Sequence, residues 1–206
     1  GTSGQYYVLQ ILESVGLSLK DIVPVASAGG TLTGAAPLLE RGEIDAIAIP
    51  DPILATLSEG GKARIIGRAT PPIRGAAFFL VASDSALKDP AKQAALEDFV
   101  ARVTRAYQWR IDHPKEAADA IAAHYQLPAN LGPGVLERSL QRLAPIDEDT
   151  ITSQQIAADA FHRIGLIKQR VEARAVFDTR FNAIVAANAK STQTAENETA
   201  VKEAAQ

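Results

Sequence analysis

A chain of 206 residues, 47% hydrophobic and 22% charged, has the balance of a protein able to bury one large core or two small ones. Lys and Arg number 21 against 24 Asp and Glu, and the net charge of -3 gives no electrostatic reason to expect nucleic acid or an anionic membrane surface as partner. The absence of cysteine excludes disulfides, thiolate metal sites and cysteine nucleophiles, and no apolar run approaches the ~20 residues that span a bilayer.

Tyr7, Val8, Ile11, Leu12 and Val15 keep helical spacing, and Gly16 supplies the left-handed stop after the last turn. Ile22-Val23-Pro24-Val25 reads as a strand whose proline places it at an edge or an end. A helix is expected from about Thr33 to Glu40, closed by Arg41-Gly42-Glu43. Ala46-Ile47-Ala48-Ile49 is then a buried strand, followed by the turn Pro50-Asp51-Pro52 and a helix from Ile53 to Ser58 that ends at Gly60-Gly61. Ala63-Arg64-Ile65-Ile66 and Ala77-Phe78-Phe79-Leu80-Val81 are two further strand candidates. Helices alternating with short apolar strands imply a largely parallel sheet with helices on its faces.

From Asp89 the period changes to about 3.6. Leu96, Val100, Val103, Tyr107 and Ile111 form one stripe, and His113-Pro114 ends that helix and opens the next. Pro133 opens a third helix, expected to carry Leu136, Leu140 and Leu143. Asp147, Glu148 and Asp149 precede a fourth, which runs through Ile156, Ala160, Phe161 and Ile164 to a stop at Gly165. The polar tail, residues 188–206, is expected to be disordered or a frayed helix. The strand-poor second half either forms a bundle of its own or covers a sheet whose strands lie upstream. With no methionine and a glycine at position 1, the chain is expected to be a processed product or an excerpt.

Two stretches carry candidate chemistry. Gly1-Thr2-Ser3-Gly4-Gln5 stands directly before an apolar-periodic helix. Small and hydroxyl residues there either cap the first turn or leave its N–H groups open to an oxyanion, which the helix dipole favours. The second stretch is the strand ending in Pro50-Asp51-Pro52, because ligands of open α/β sheets bind beyond the carboxyl ends of strands. Asp51 could accept a ligand hydrogen bond or cap the following helix.

Together these stretches resemble the aliphatic-sulfonate-binding proteins of ABC importers. The likeness rests on Gly1-Thr2-Ser3, on Glu13 to Leu17, and on the run from Glu40 to Ala55 with its acidic–aliphatic–Asp–Ala stretch and Asp-Pro turn. It continues through Phe78-Phe79-Leu80-Val81, Trp109 to Pro114, and Pro145-Ile146-Asp147 to Gly165-Leu166-Ile167. The resemblance implies an α/β fold of the type II periplasmic-binding-protein kind. In this chain that means one three-layer lobe, residues 1–82, and helices of a second, incomplete lobe, residues 83–187. It also implies capture of a small organic anion, an alkanesulfonate, with delivery to an ABC permease in the inner membrane. The protein would be a periplasmic monomer whose signal peptide is not in this chain. Gly1, Thr2, Ser3, Gly4 and Gln5 would hold the sulfonate, with Gly30, Asp51 and Arg74 as further ligand-binding candidates. Pro50 and Ile53 replace the family's usual tryptophan and tyrosine, and Ala26 to Thr31 replaces a proline–alanine–aspartate stretch.

Relatives by fold bind nitrate, taurine or thiamine-precursor pyrimidines, and an enzyme making that pyrimidine shares the architecture. Such enzymes need a cysteine-rich iron-binding segment and a donating histidine, which zero cysteines argue against. An effector-sensing domain of a transcription regulator would place a helix-turn-helix upstream. His113, His124 and His162 join no acidic residue at metal-ligand spacing, so neither a metal nor another cofactor is expected. No Gly-x-Ser-x-Gly elbow or P-loop lysine is present, and catalysis is not expected.

Overall fold

The computed structural model describes residues 3–25, 32–67, 78–139 and 143–189, with the side chains of Ser3, Leu32 and Thr33 excluded. The nine α-helices among them begin and end where local chemistry dictates. The first, α1 (Ser3–Ser14), stops at Gly16, whose φ of +77° only glycine adopts without strain. A 3-10 turn at Leu19–Asp21 follows, held by a capping box between Ser18 and Asp21. Next come α2 (Leu32–Glu40) and α3 (Ile53–Glu59).

In the second half α4 (Asp84–Lys88) is capped by the Ser83 hydroxyl, which accepts from the Ala86 N–H. The long α5 (Pro90–Asp112) starts at a proline, and the Asp89 carboxylate accepts from the N–H groups of Ala91 and Lys92. Helix α6 (Pro114–Tyr125) again opens on proline. A 3-10 turn at Ala129–Leu131 leads into α7 (Gly132–Arg138). Helix α8 (Glu148–Arg163) is capped by Asp147, which accepts from the Thr150 N–H, and it ends before Gly165 at φ +75°. Helix α9 (Asn182–Asn188) lies against α5.

Two expectations are corrected here. The third helix of the second half was expected to reach Leu143, but α7 closes at Ser139; Leu143 is non-helical, and Leu140 lies outside the described residues. The strands expected at 22–25, 46–49, 63–66 and the described part of 77–81 form no ladder among the described residues. A strand exists only by pairing, so β-type composition sets a preference for extended backbone without supplying the neighbour. Val23 and Val81 accordingly stand 89% and 90% exposed. The tail, residues 190–206, lies outside the described residues.

Among the described residues two buried clusters join the two halves, and Phe79 also meets Phe177 edge to face with ring centroids 5.1 Å apart. Tyr6 and Leu9 on α1 are buried with Ala160 on α8, and Phe161 sets its ring 5.6 Å from that of Tyr6. Full burial of a side chain the size of Leu9 contributes about 1.5–3 kcal/mol. This face differs from the expected one, since Val15 is exposed and the deepest residues are 6 and 9. The second junction sets Ala55 of α3, which is fully buried, against Leu131 and Val135. Helix α7 in turn packs on α6 through Ala117, Ala118 and Leu136. Gly132 allows this approach, because a Cβ there would collide with the backbone carbonyl of Ala118.

Candidate functional site

Of the eight residues singled out in the sequence, Gly1, Thr2, Gly30 and Arg74 lie outside the described residues. Ser3 opens α1, and Gly4 and Gln5 complete its first turn in a half-buried setting. Twelve residues of helix place a partial positive charge at this end. The first turn holds no acidic side chain to offset it.

Asp51 stands at the other stretch, where the segment 46–49 turns into α3. Its Oδ1 accepts from the Ala55 N–H at 3.2 Å, which is the capping alternative weighed from sequence. The structure adds a partner that no local pattern announced. Arg138, at the end of α7, donates Nε to Oδ2 at 2.7 Å and Nη2 to Oδ1 at 3.0 Å. Both side chains are largely withdrawn from solvent, 9% exposed for Asp51 and 19% for Arg138. Glu59 stands 3.8 Å from the same guanidinium. The hydrogen bond that Arg138 donates to Asp51, with the carboxylate charges behind it, holds the Arg138 pKa above its already high ordinary value. Among the described residues Oδ1 thus accepts twice and Oδ2 once. Sequence reasoning missed Arg138 because nothing local marks which charged residue of a helix meets a carboxylate 87 positions away.

His113 sits between α5 and α6, where its side chain makes no cap hydrogen bond and its ring stacks on Trp109 with centroids 5.2 Å apart. No group of three or more His, Asp or Glu among the described residues is arranged to hold a metal ion. No helix among them is long and apolar enough to cross a membrane.

The fold built by these elements is one that known structures share. No family model matches the chain. Its structure superimposes on the alkanesulfonate-binding protein SsuA from Xanthomonas axonopodis pv. citri bound to MOPS, with a TM-score of 0.74 and 24% identity. That match covers 85% of this chain and 59% of the other. The periplasmic aliphatic sulphonate binding protein SsuA from Escherichia coli gives a TM-score of 0.70 and 23% identity, over 86% of this chain and 56% of that one. By sequence the chain is 25% identical over 175 residues to the "Putative aliphatic sulfonates-binding protein" of Escherichia coli (strain K12). The alignment takes in 84% of the chain and 53% of that relative, so the chain spans about half the relative's length. Over that span the chain is similar in sequence and fold to proteins named as aliphatic-sulfonate-binding proteins.

Proposed function

We propose that this chain is the solute-binding component, or part of it, of an ABC importer, and that its solute is a small organic anion of the aliphatic sulfonate class. The observation that carries the reading is the shared fold, at a TM-score of 0.74, with a sulfonate-binding protein whose bound molecule, MOPS, is itself a sulfonate. The start of α1 supports it. Backbone N–H groups, the Thr2 and Ser3 hydroxyls and the helix dipole can together hold an oxyanion without a lysine or arginine.

On this reading binding is the whole task. The relatives are named as binding proteins, and zero cysteines argue against the pyrimidine-synthesis chemistry of the alternative. Two α/β lobes close over the solute, and the closed form is presented to a permease in the inner membrane. Residues 1–82 supply one lobe and 83–187 the helical part of the other, in a periplasmic monomer. Gly30, Asp51 and Arg74 complete the ligand contacts. Pro50 and Ile53, where the family carries aromatic residues, make the wall for the organic group less aromatic and select among sulfonates.

Calorimetric titration with alkanesulfonates of increasing chain length tests the reading, with nitrate and sulfate as controls. Saturable one-to-one binding tightest for one sulfonate supports it. A preference for nitrate or sulfate over every sulfonate removes the sulfonate assignment.

A further inference from the structure

The solute-binding reading requires two bodies that close on a ligand, and the inference drawn here rests on that reading. Helices α3 and α7 belong to opposite halves of the sequence, yet their junction has the character of a rigid interior. Ala55, fully buried, meets Leu131 and Val135 with a side chain that has no rotamers to exchange. The Arg138 fork engages both oxygens of Asp51, an arrangement that fixes orientation as well as distance. Gly134 lies directly beneath that fork: a Cβ added there would stand 3.2 Å from both Arg138 Nη1 and Glu59 Oε1. Gly132, two residues earlier, brings α7 against the Ala118 carbonyl of α6. The series α3–α7–α6 is thus joined by short side chains, two closely approached glycines and one planar fork. Packed contacts of this kind shift between discrete arrangements and do not deform gradually.

We propose that α3, α6 and α7 form a clamp that moves as one rigid body during solute-driven closure, with Arg138 as the positioning residue that locks it. The break between the moving lobes then does not follow the division at residue 83: α6 and α7 move with α3 in the first lobe, and the remaining helices of 83–187 belong to the second. Motion is left to segments outside this junction.

The cysteine-free sequence makes the test direct. Spin labels are placed at Thr56→Cys on α3 and Glu137→Cys on α7, both exposed positions. Their distance distribution is recorded without ligand and with saturating MOPS, alongside a calorimetric titration of the same sample. One narrow peak is expected, shifting by less than about 1 Å on addition of MOPS. Arg138→Gln should widen the peak by about twofold, as a locked junction becomes a locally mobile one. Asp51→Asn serves as a second variant with the same expected direction, since its amide oxygen still accepts from the Ala55 N–H. A broad or two-peaked distribution in the parent, a clear shift with MOPS, or widths unaltered in both variants would overturn the clamp. Absence of heat with MOPS would count against the sulfonate reading alone, and the ligand-free distributions would still decide the clamp.

Discussion

Arg138 grips both carboxylate oxygens of Asp51 across 87 positions of sequence, with Nε at 2.7 Å from Oδ2 and Nη2 at 3.0 Å from Oδ1. An ion pair of this geometry, largely removed from water, behaves asymmetrically. Forming it returns little beyond the cost of desolvation, but deleting one partner strands the other charge in a poorly solvated place. Arg138→Gln is therefore expected to destabilise the protein by on the order of 3 kcal/mol. The urea midpoint of the variant measures this. A loss under about 0.5 kcal/mol would show that the pair is solvated like an ordinary surface bridge.

The approach of α7 to α6 depends on Gly132. An added Cβ would run into the backbone carbonyl of Ala118, which cannot swing aside as a side-chain terminus could. Gly132→Ala is expected to cost about 1–3 kcal/mol by overpacking. Gly42→Ala, where a Cβ meets nothing but φ is +69°, separates the two ways in which a glycine can be required.

Gln126 closes α6 in the left-handed region at φ +55°, the one non-glycine residue with positive φ among those described. Its N–H donates to the Ala122 and Ala123 carbonyls, so the conformation satisfies the helix end at the expense of a side-chain clash. Gln126→Gly is expected to raise stability by about 1 kcal/mol, because glycine adopts the same backbone without that clash. Thermal unfolding of the variant checks the sign.

Several carboxyls are held below their ordinary pKa. Asp147 is lowered first by its hydrogen bond with Thr150, Asp159 by Arg170 and then Gln155, Asp178 by Arg180 and Glu148 by Arg174. A depressed folded-state pKa contributes stability above the unfolded value and loses it as pH falls through the folded value. The unfolded values lie at 3.8 for Asp and 4.5 for Glu. Stability is thus expected to be flat in this respect from neutral pH to about 5 and to fall below about 4. Urea titrations at a series of pH values would show that fall. A midpoint independent of pH down to 3 would mean that these bonds are absent in solution.

Helix limits were legible because they are encoded locally. Asp89-Pro90, His113-Pro114 and Asp147 each carry in one or two residues the chemistry that starts a helix, and Gly16 and Gly165 carry the stop. What depends on distant partners was not legible. The first two turns of α1 carry apolar side chains on adjoining faces, so periodicity alone did not choose Tyr6 and Leu9 over Tyr7 and Val8. The choice is made by α8, nearly 150 residues later, through Ala160 and Phe161. The extended apolar segments showed strand composition, yet a ladder needs neighbours, and none pairs with them among the described residues. Asp51 was legible as a residue at a structural junction, and both alternatives weighed for it were local. Its actual partner, Arg138, is not. The oxyanion proposal at Gly1, Thr2 and Ser3 rests on what precedes α1, and the observed helix supplies the dipole behind it.

The most direct test of the central claim is calorimetric titration of the parent protein and Ser3→Ala with a series of alkanesulfonates, in a buffer free of sulfonate groups. The account predicts saturable one-to-one binding of at least one sulfonate, weakened by about 1 kcal/mol or more in Ser3→Ala as a hydrogen bond to the oxyanion is lost. No saturable heat with any sulfonate from folded, ligand-free protein, or equal affinity in parent and variant, would contradict an oxyanion held at the start of α1.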